Sequence, residues 1–238
     1  MSNCLLAIDT TSARCSAAIL LDAKIHTRCS DRERQAAQLI LPMIDDLMTS
    51  VDTALAELEG IAVAAGPGSF TGIRIGIGVA QGLGMSLSIP VLALSNLAIM
   101  AMTAIAESGC DNVMVSMKAR DSEVYFAGYR GSASAGVILL GQEQVCRPAN
   151  LQSLPATDSG PQNWYAAGDG WDQKDEILRT LQLDTEHVQF ERSQPAVELN
   201  LGELCKLAKL RFQLGEGVAA EQVIPNYIKE RLDYSQLR

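Results

Sequence analysis

Gly60-Ile-Ala-Val-Ala-Ala65 constrains the fold more than any other segment, because it has no polar position and no alternation to give one wet face. Such a run reads as a strand buried on both sides, which occurs where helices cover both faces of a largely parallel sheet. The class is therefore α/β. The strand delivers the chain into a tight turn, Gly66-Pro-Gly-Ser-Phe-Thr-Gly72, and from Thr71 to about Leu87 the pattern becomes helical. That helix contains Gly72, Gly76, Gly78, Gly82 and Gly84, each costing about 0.5–1 kcal/mol relative to alanine in a helix interior. Gly72/Gly76 and Gly78/Gly82 stand one turn apart, so close approach of another backbone is the compensation to look for. Arg74, Gln81, Ser86 and Ser88 interrupt the span, which falls short of ~20 clean apolar residues and is not read as a membrane helix.

The flanking segments supply the rest of the architecture. Cys4 to Asp9 and Cys15 to Leu21 read as a hairpin with Asp9 at its mouth, followed by a third strand over Lys24 to Cys29. A helix over Gln35 to Thr49 follows, its apolar face made by Leu39, Ile40, Met43, Ile44 and Leu47, with Pro42 expected to kink it or mark an irregular first turn. Asp52 to Glu59 reads as a short connecting helix, Val91 to Leu94 as a strand, and Ser95 to Ala106 as a helix capped by Ser95 or Asn96, with Met100 and Met102 on its apolar side. Beyond Gly109, strands are expected at 113–118, 123–129, 135–140 and 164–168, helices at 172–181 and 199–215, and loop over 148–163. Two lobes suit the 238 residues: 1–108, to which 217–238 returns, and 109–216.

Composition narrows the chemistry. A net charge of −9 repels phosphate backbones, so nucleic acid is not the expected direct ligand. The start of the chain has no basic segment leading into an apolar one, and a cytoplasmic location is expected. The six cysteines show no C-x-x-C pairing and read as small buried hydrophobes, while His26 and His187 read as surface residues, so no metal site is expected. The turn leaves two readings open. Asp9, Thr10 and Ser12 together with Gly66, Gly68, Ser69 and Thr71 resemble a phosphate cradle at a helix N-terminus, with Asp9 able to hold Mg²⁺ through water. The same glycines equally suit a tight turn packed on a neighbouring strand. Thr71 stands where a dinucleotide fingerprint needs its third glycine, and no Gly-Lys-Ser/Thr ending makes a P-loop. Ser69 in a sharp turn invites a hydrolase reading, but neither histidine lies in a segment fit to activate it.

Leu6-Ala-Ile-Asp-Thr-Thr-Ser12 with Cys15-Ser-Ala-Ala-Ile19, then Gly66-Pro-Gly-Ser-Phe-Thr-Gly-Ile-Arg-Ile-Gly76 and Gln81-Gly-Leu83, closely resemble the bacterial TsaB (YeaZ) family. The likeness continues through Ala119-Arg120, Glu123-Val-Tyr125 and Pro225-Asn-Tyr-Ile-Lys229, and is weaker between about 130 and 215. It implies an actin-like, sugar-kinase-like (ASKHA) fold of two related lobes. It further implies a non-catalytic partner of the TsaD catalytic subunit and the TsaE ATPase. Together these place threonylcarbamoyl on the adenosine beside the anticodon of tRNAs reading codons that begin with A. Such a subunit touches tRNA only through the complex, can form a homodimer, and binds no cofactor alone; Mg-nucleotide is expected only at the assembled complex. In the catalytic relative a histidine pair on the first-lobe helix binds metal, whereas Gln35-Ala-Ala-Gln-Leu-Ile-Leu-Pro42 has no histidine, and Lys118 stands where relatives often carry Asp. The docking face is expected on the first-lobe helices: Leu39, Met43 and Leu47 on one, Ile73, Gly76, Ile77 and Gly82 on the next, with Met100 and Met102. The competing reading is an ATP-binding phosphotransferase or ATPase acting alone.

Overall fold

The computed structural model describes residues 4–155, 163–191 and 198–228. β1 (Cys4–Asp9), β2 (Arg14–Leu21) and β3 (Lys24–Glu33) form an antiparallel meander, and β4 (Gly60–Ala64) and β5 (Val91–Leu94) add in parallel beyond β1. The second sheet repeats the plan. β6 (Asn112–Lys118), β7 (Val124–Ser132) and β8 (Gly136–Cys146) are antiparallel, and β9 (Trp164–Ala167) and β10 (Val188–Phe190) add in parallel beyond β6. The two orders, β3-β2-β1-β4-β5 and β8-β7-β6-β9-β10, match strand for strand. This is the actin-like, sugar-kinase-like α/β arrangement of two related lobes that the sequence resemblance implied.

Strand alternation sorts each sheet into two faces. On β1, Cys4, Leu6 and Ile8 join an outer core with Ile40, Ile44 and Leu47 of α1 (Ala36–Ser50) and Ile73 and Ile77 of α2 (Phe70–Leu87). Leu5 and Ala7 point the other way, into an inner core shared by both sheets. The second sheet buries Met114, Phe126 and Trp164 against α4 (Lys174–Leu181) on its own outer side. Between the sheets lie two crossed-over helices: α3 (Asn96–Ser108) leaves β5 but packs on β6 and β7, and α5 (Leu201–Gln213) follows β10 but packs on β1 and β2. α5 thus belongs by sequence to 109–216 and by packing to the first sheet. Residues 217–228 also return to that sheet: Val218 bridges Val91, and Ala220 and Val223 enter the outer core.

Local expectations fail where burial is absent. No helix forms over Asp52 to Glu59; the segment holds one 3-10 turn, Leu55–Glu57, with all three residues exposed and no apolar face to dock. α1 runs through Pro42, which sits on its exposed side, within the span expected for the helix. β3 runs four residues past Cys29 as a charged sheet edge, and the three-residue β10 is too short to show a period. The expected loop over 148–163 lies partly outside the described residues, as does 229–238 of the C-terminal segment.

Candidate functional site

The residues read as a phosphate cradle meet in space, but they are bonded to one another. Asp9, at the end of β1, is buried and accepts from Thr11 N at 2.7 Å, Thr11 Oγ1 at 2.6 Å and Ser12 Oγ at 2.6 Å. Burial raises its pKa, and the Ser12 and Thr11 donors pull it back down. Thr10 Oγ1 donates to Gly72 O at 2.7 Å, and Ser69 N donates to Thr11 O at 2.9 Å. Ser69 is the N-cap of α2, its Oγ accepting from Gly72 N at 3.2 Å, a structural use of the hydroxyl that a nucleophile would need free. Asn96 completes the knot: its amide donates to Thr11 Oγ1 and Pro67 O and accepts from Gly66 N. The sequence suggested this residue only as a helix cap, a role that Ser95 fills. A side chain on Gly68 would press on Thr11 and Asn96, and one on Gly72 would strike the Thr10 carbonyl. The glycines therefore admit neighbouring backbone here. Thr71 is exposed and lies outside this hydrogen-bonded set.

The α2 helix presents two rows of small residues with opposite surroundings. Gly72, Gly76, Ala80 and Gly84 repeat every four residues on the buried side, where a Cβ on Gly76 would lie 2.5 Å from Thr10 Oγ1, and one on Gly84 would lie 2.5 Å from Val91. Phe70, Arg74, Gly78 and Gly82 repeat every four residues on the open side, and a Cβ on Gly78 or Gly82 would meet nothing within 4 Å. Phe70 and Met85 are 61% and 62% exposed there, and Leu41 on the adjacent α1 is 52% exposed, so three large apolar side chains face outward. Leu39, Met43, Ile75, Val79 and Leu83 are half-buried beside them.

Of the residues expected on the docking face, Leu39, Met43 and Gly82 lie on this surface. Leu47, Ile73, Gly76 and Ile77 are buried beneath it and cannot touch a partner, because the apolar stripe of each helix is consumed by its own sheet. Met102 is fully buried between the sheets, and Met100 lines a small pocket of about 70 Å³ beside Gly168. Leu41, Phe70 and Met85 were not singled out in the sequence, and Arg74 only as an interruption of an apolar span; for Phe70 and Arg74 the signal that could have found them is the four-residue repeat out of phase with Ile73 and Ile77.

A cleft of about 1360 Å³ lies elsewhere, between β8 and residues 224–228. Asp9, Ser12 and the residues of the Gly66 to Thr71 turn are not among those that line it. Its wall carries Glu143, which accepts from Tyr129 Oη at 2.6 Å and from Asn226 Nδ2 at 2.7 Å. Burial first, then the charge and hydrogen bond of Glu143, push the Tyr129 phenol well above its ordinary range. His26 lies on β3 and His187 beside Asn163 in the second lobe, remote in the fold from Ser69. Among the described residues no group of three or more His, Cys, Asp or Glu side chains is placed to hold a metal ion. Lys118 pairs with Asp172 at 2.9 Å.

Comparison with known proteins places this geometry. Residues 30–195, more than half of the chain, match the family model of TsaD, tRNA N6-adenosine threonylcarbamoyltransferase. The tRNA threonylcarbamoyladenosine biosynthesis protein TsaB of Escherichia coli (strain K12) is 33% identical over 98% of this chain and 97% of its own length. Its Haemophilus influenzae counterpart is 28% identical over 98% and 96%. The solved structure of YeaZ from Pseudomonas aeruginosa aligns with a TM-score of 0.80 at 36% identity, covering 95% of this chain and all of that one. With the two matched sheets, the Gly66 to Gly76 turn and full-length similarity in agreement, the chain belongs to the TsaB (YeaZ) family.

Proposed function

We propose that this chain is a non-catalytic subunit in the threonylcarbamoylation (t6A) of the adenosine next to the anticodon, in tRNAs reading codons that begin with A. It docks on a TsaD-type catalytic subunit and works with a TsaE-type ATPase in the cytoplasm, meeting tRNA only through the assembly. The observation that carries the reading is the open side of α2, where Phe70 and Met85 are exposed along the unfilled notch of Gly78 and Gly82, with Leu41 exposed on the neighbouring α1. Exposed aromatic and methionine side chains around a site of close helix approach are what a protein interface uses. The same face serves self-association as a homodimer when the catalytic subunit is absent.

The Asp9 to Ser12 turn supports a helper rather than an enzyme, since its polar atoms hold the lobe together and its serine caps a helix. We therefore assign no cofactor to the chain alone, with any Mg-nucleotide belonging to the assembled complex. The net charge of −9 suits a subunit that leaves tRNA contact to others.

Light scattering of the chain mixed with its TsaD-type counterpart from the same cell tests this. A heteromer is expected with the native chain and not with Gly82→Arg, which projects a long side chain from a position where a Cβ meets nothing within 4 Å. No heteromer, together with tight Mg-ATP binding by the isolated chain in calorimetry, would overturn the reading in favour of a stand-alone ATPase or phosphotransferase.

A further inference from the structure

Arg74 is the one charged residue between Gly60 and Ala106. Its guanidinium carbon lies 3.4 Å from the centroid of the Phe70 ring and 5.5 Å from that of Tyr227. The two rings are 6.2 Å apart and tilted by 30°. Among the described residues the guanidinium makes no hydrogen bond or ion pair. A planar cation stacked on aromatic faces keeps its N–H donors at its edge, pointing away from the rings. The shelf is itself held in place: Asn226, beside Tyr227, donates its backbone N–H to Ala65 O at 2.9 Å and its side-chain amide to Glu143, and Gln81 Nε2 donates to Val223 O at 3.0 Å. Phe70 and Tyr227 are 61% and 48% exposed, so aromatic surface flanks an oriented fork of donors that has no partner among the described residues.

We propose that Arg74 is the anchor for a carboxylate of the docking protein, received by the edge of the guanidinium and shielded from water by Phe70 and Tyr227. This rests on the docking reading above and specifies its chemistry. Stacking fixes the fork before binding, so little side-chain freedom remains to be lost, and the bidentate match favours carboxylate. Arginine and tyrosine with a dry rim are the usual composition of an interface hot spot. An RNA backbone is the poorer occupant, since it needs a row of cations, and α2 carries Arg74 alone on a chain of net charge −9. A second copy would have to supply the acid from the same patch; Asp46 of α1 is engaged by Arg28 at 3.2 Å, which leaves Asp45 of α1 and Glu221, and the self-association arm of the test separates that occupant.

The test measures affinity for the TsaD-type subunit by calorimetry at low and high salt, for the native chain, Arg74→Ala, Arg74→Lys and Gly82→Arg, with melting temperature as the control for folding. We expect Arg74→Ala and Arg74→Lys each to weaken binding by about 10-fold or more without lowering the melting temperature, and the native affinity to fall with salt by more than that of Arg74→Ala. If the native chain binds, Gly82→Arg does not, and Arg74→Ala stays within about twofold of native, the anchor is refuted while the docking face stands. If the native chain does not bind, both fall. Loss of self-association in Arg74→Ala with unchanged affinity for the TsaD-type subunit would assign the fork to a second copy, and loss of tRNA binding by the isolated chain would assign it to phosphate; either overturns the proposal.

Discussion

One methyl group placed on each glycine row of α2 should have opposite effects. At Gly82 the new Cβ meets nothing within 4 Å, so alanine only removes the backbone freedom of glycine in the unfolded chain, a gain of about 0.5–1 kcal/mol. Gly78→Ala is equivalent, and the double variant should gain about 1–2 kcal/mol, raising Tm by about 2–8 °C for a chain of this size. At Gly72 the same methyl runs into the Thr10 carbonyl, a backbone atom that cannot rotate away, and disturbs the hydrogen bond from Thr10 Oγ1 to Gly72 O. Overpacking of about 1–3 kcal/mol then opposes the same propensity gain, for a net loss of up to about 2 kcal/mol. Urea unfolding of the isolated variants, read as midpoint shifts at constant m, measures both signs. A destabilised Gly82→Ala or a stabilised Gly72→Ala would show that the rows have been assigned to the wrong sides. The double variant also carries the functional half of the argument: though more stable alone, it should bind the TsaD-type subunit more weakly, because the notch is filled. Undiminished affinity would mean that the open row is an unoccupied surface and not a contact.

Three further outcomes follow from the buried groups. Tyr129 has a folded pKa raised by burial and by Glu143, so the stability it contributes is complete below the unfolded value of about 10 and is lost as pH rises through the folded value. Stability above pH ~10 should therefore fall by up to about 1.4 kcal/mol per pH unit more steeply in the native chain than in Tyr129→Phe; parallel curves would contradict the assignment. Burial pushes the Cys205 thiol up to about 12 while Cys29 is exposed, so iodoacetamide at mildly alkaline pH should mark Cys29 first and Cys205 only on unfolding. Peptide mass mapping that finds both labelled at one rate would place Cys205 at the surface. Glu143 joins Tyr129 to Asn226 through one carboxylate, so a cycle of Glu143→Gln and Asn226→Ala should show coupling of about 0.5 kcal/mol or more, and strict additivity would dissolve the link between β8 and the C-terminal segment.

What the sequence could reveal depended on whether hydrophobicity alone decides the question. It decides that Gly60 to Ala64 is buried on both faces, and the strand is where expected. It cannot decide which sheet a buried helix covers: α3 has eight of its 13 residues buried, including Met102, and nothing in that pattern distinguishes packing on β5's own sheet from crossing to β6. The polar turn was ambiguous for a related reason. Glycine, serine, threonine and aspartate cradle a phosphate with the same groups by which they satisfy one another, and the choice hangs on Asn96, about 25 residues downstream of the turn, reaching back to Gly66, Pro67 and Thr11. The docking face shows the point most sharply. Choosing the most apolar helix positions selects Leu47, Ile73 and Ile77, the residues a helix spends on its own core. A partner can use only apolar residues that break that phase, and Leu41 on α1 and Phe70 and Met85 on α2 break it, with Gly78 and Gly82 between the last two and Arg74 as the single charge of α2. For a subunit whose work is to be held by another protein, the informative residues in the sequence are therefore those that the amphipathic pattern of its own helices leaves unexplained.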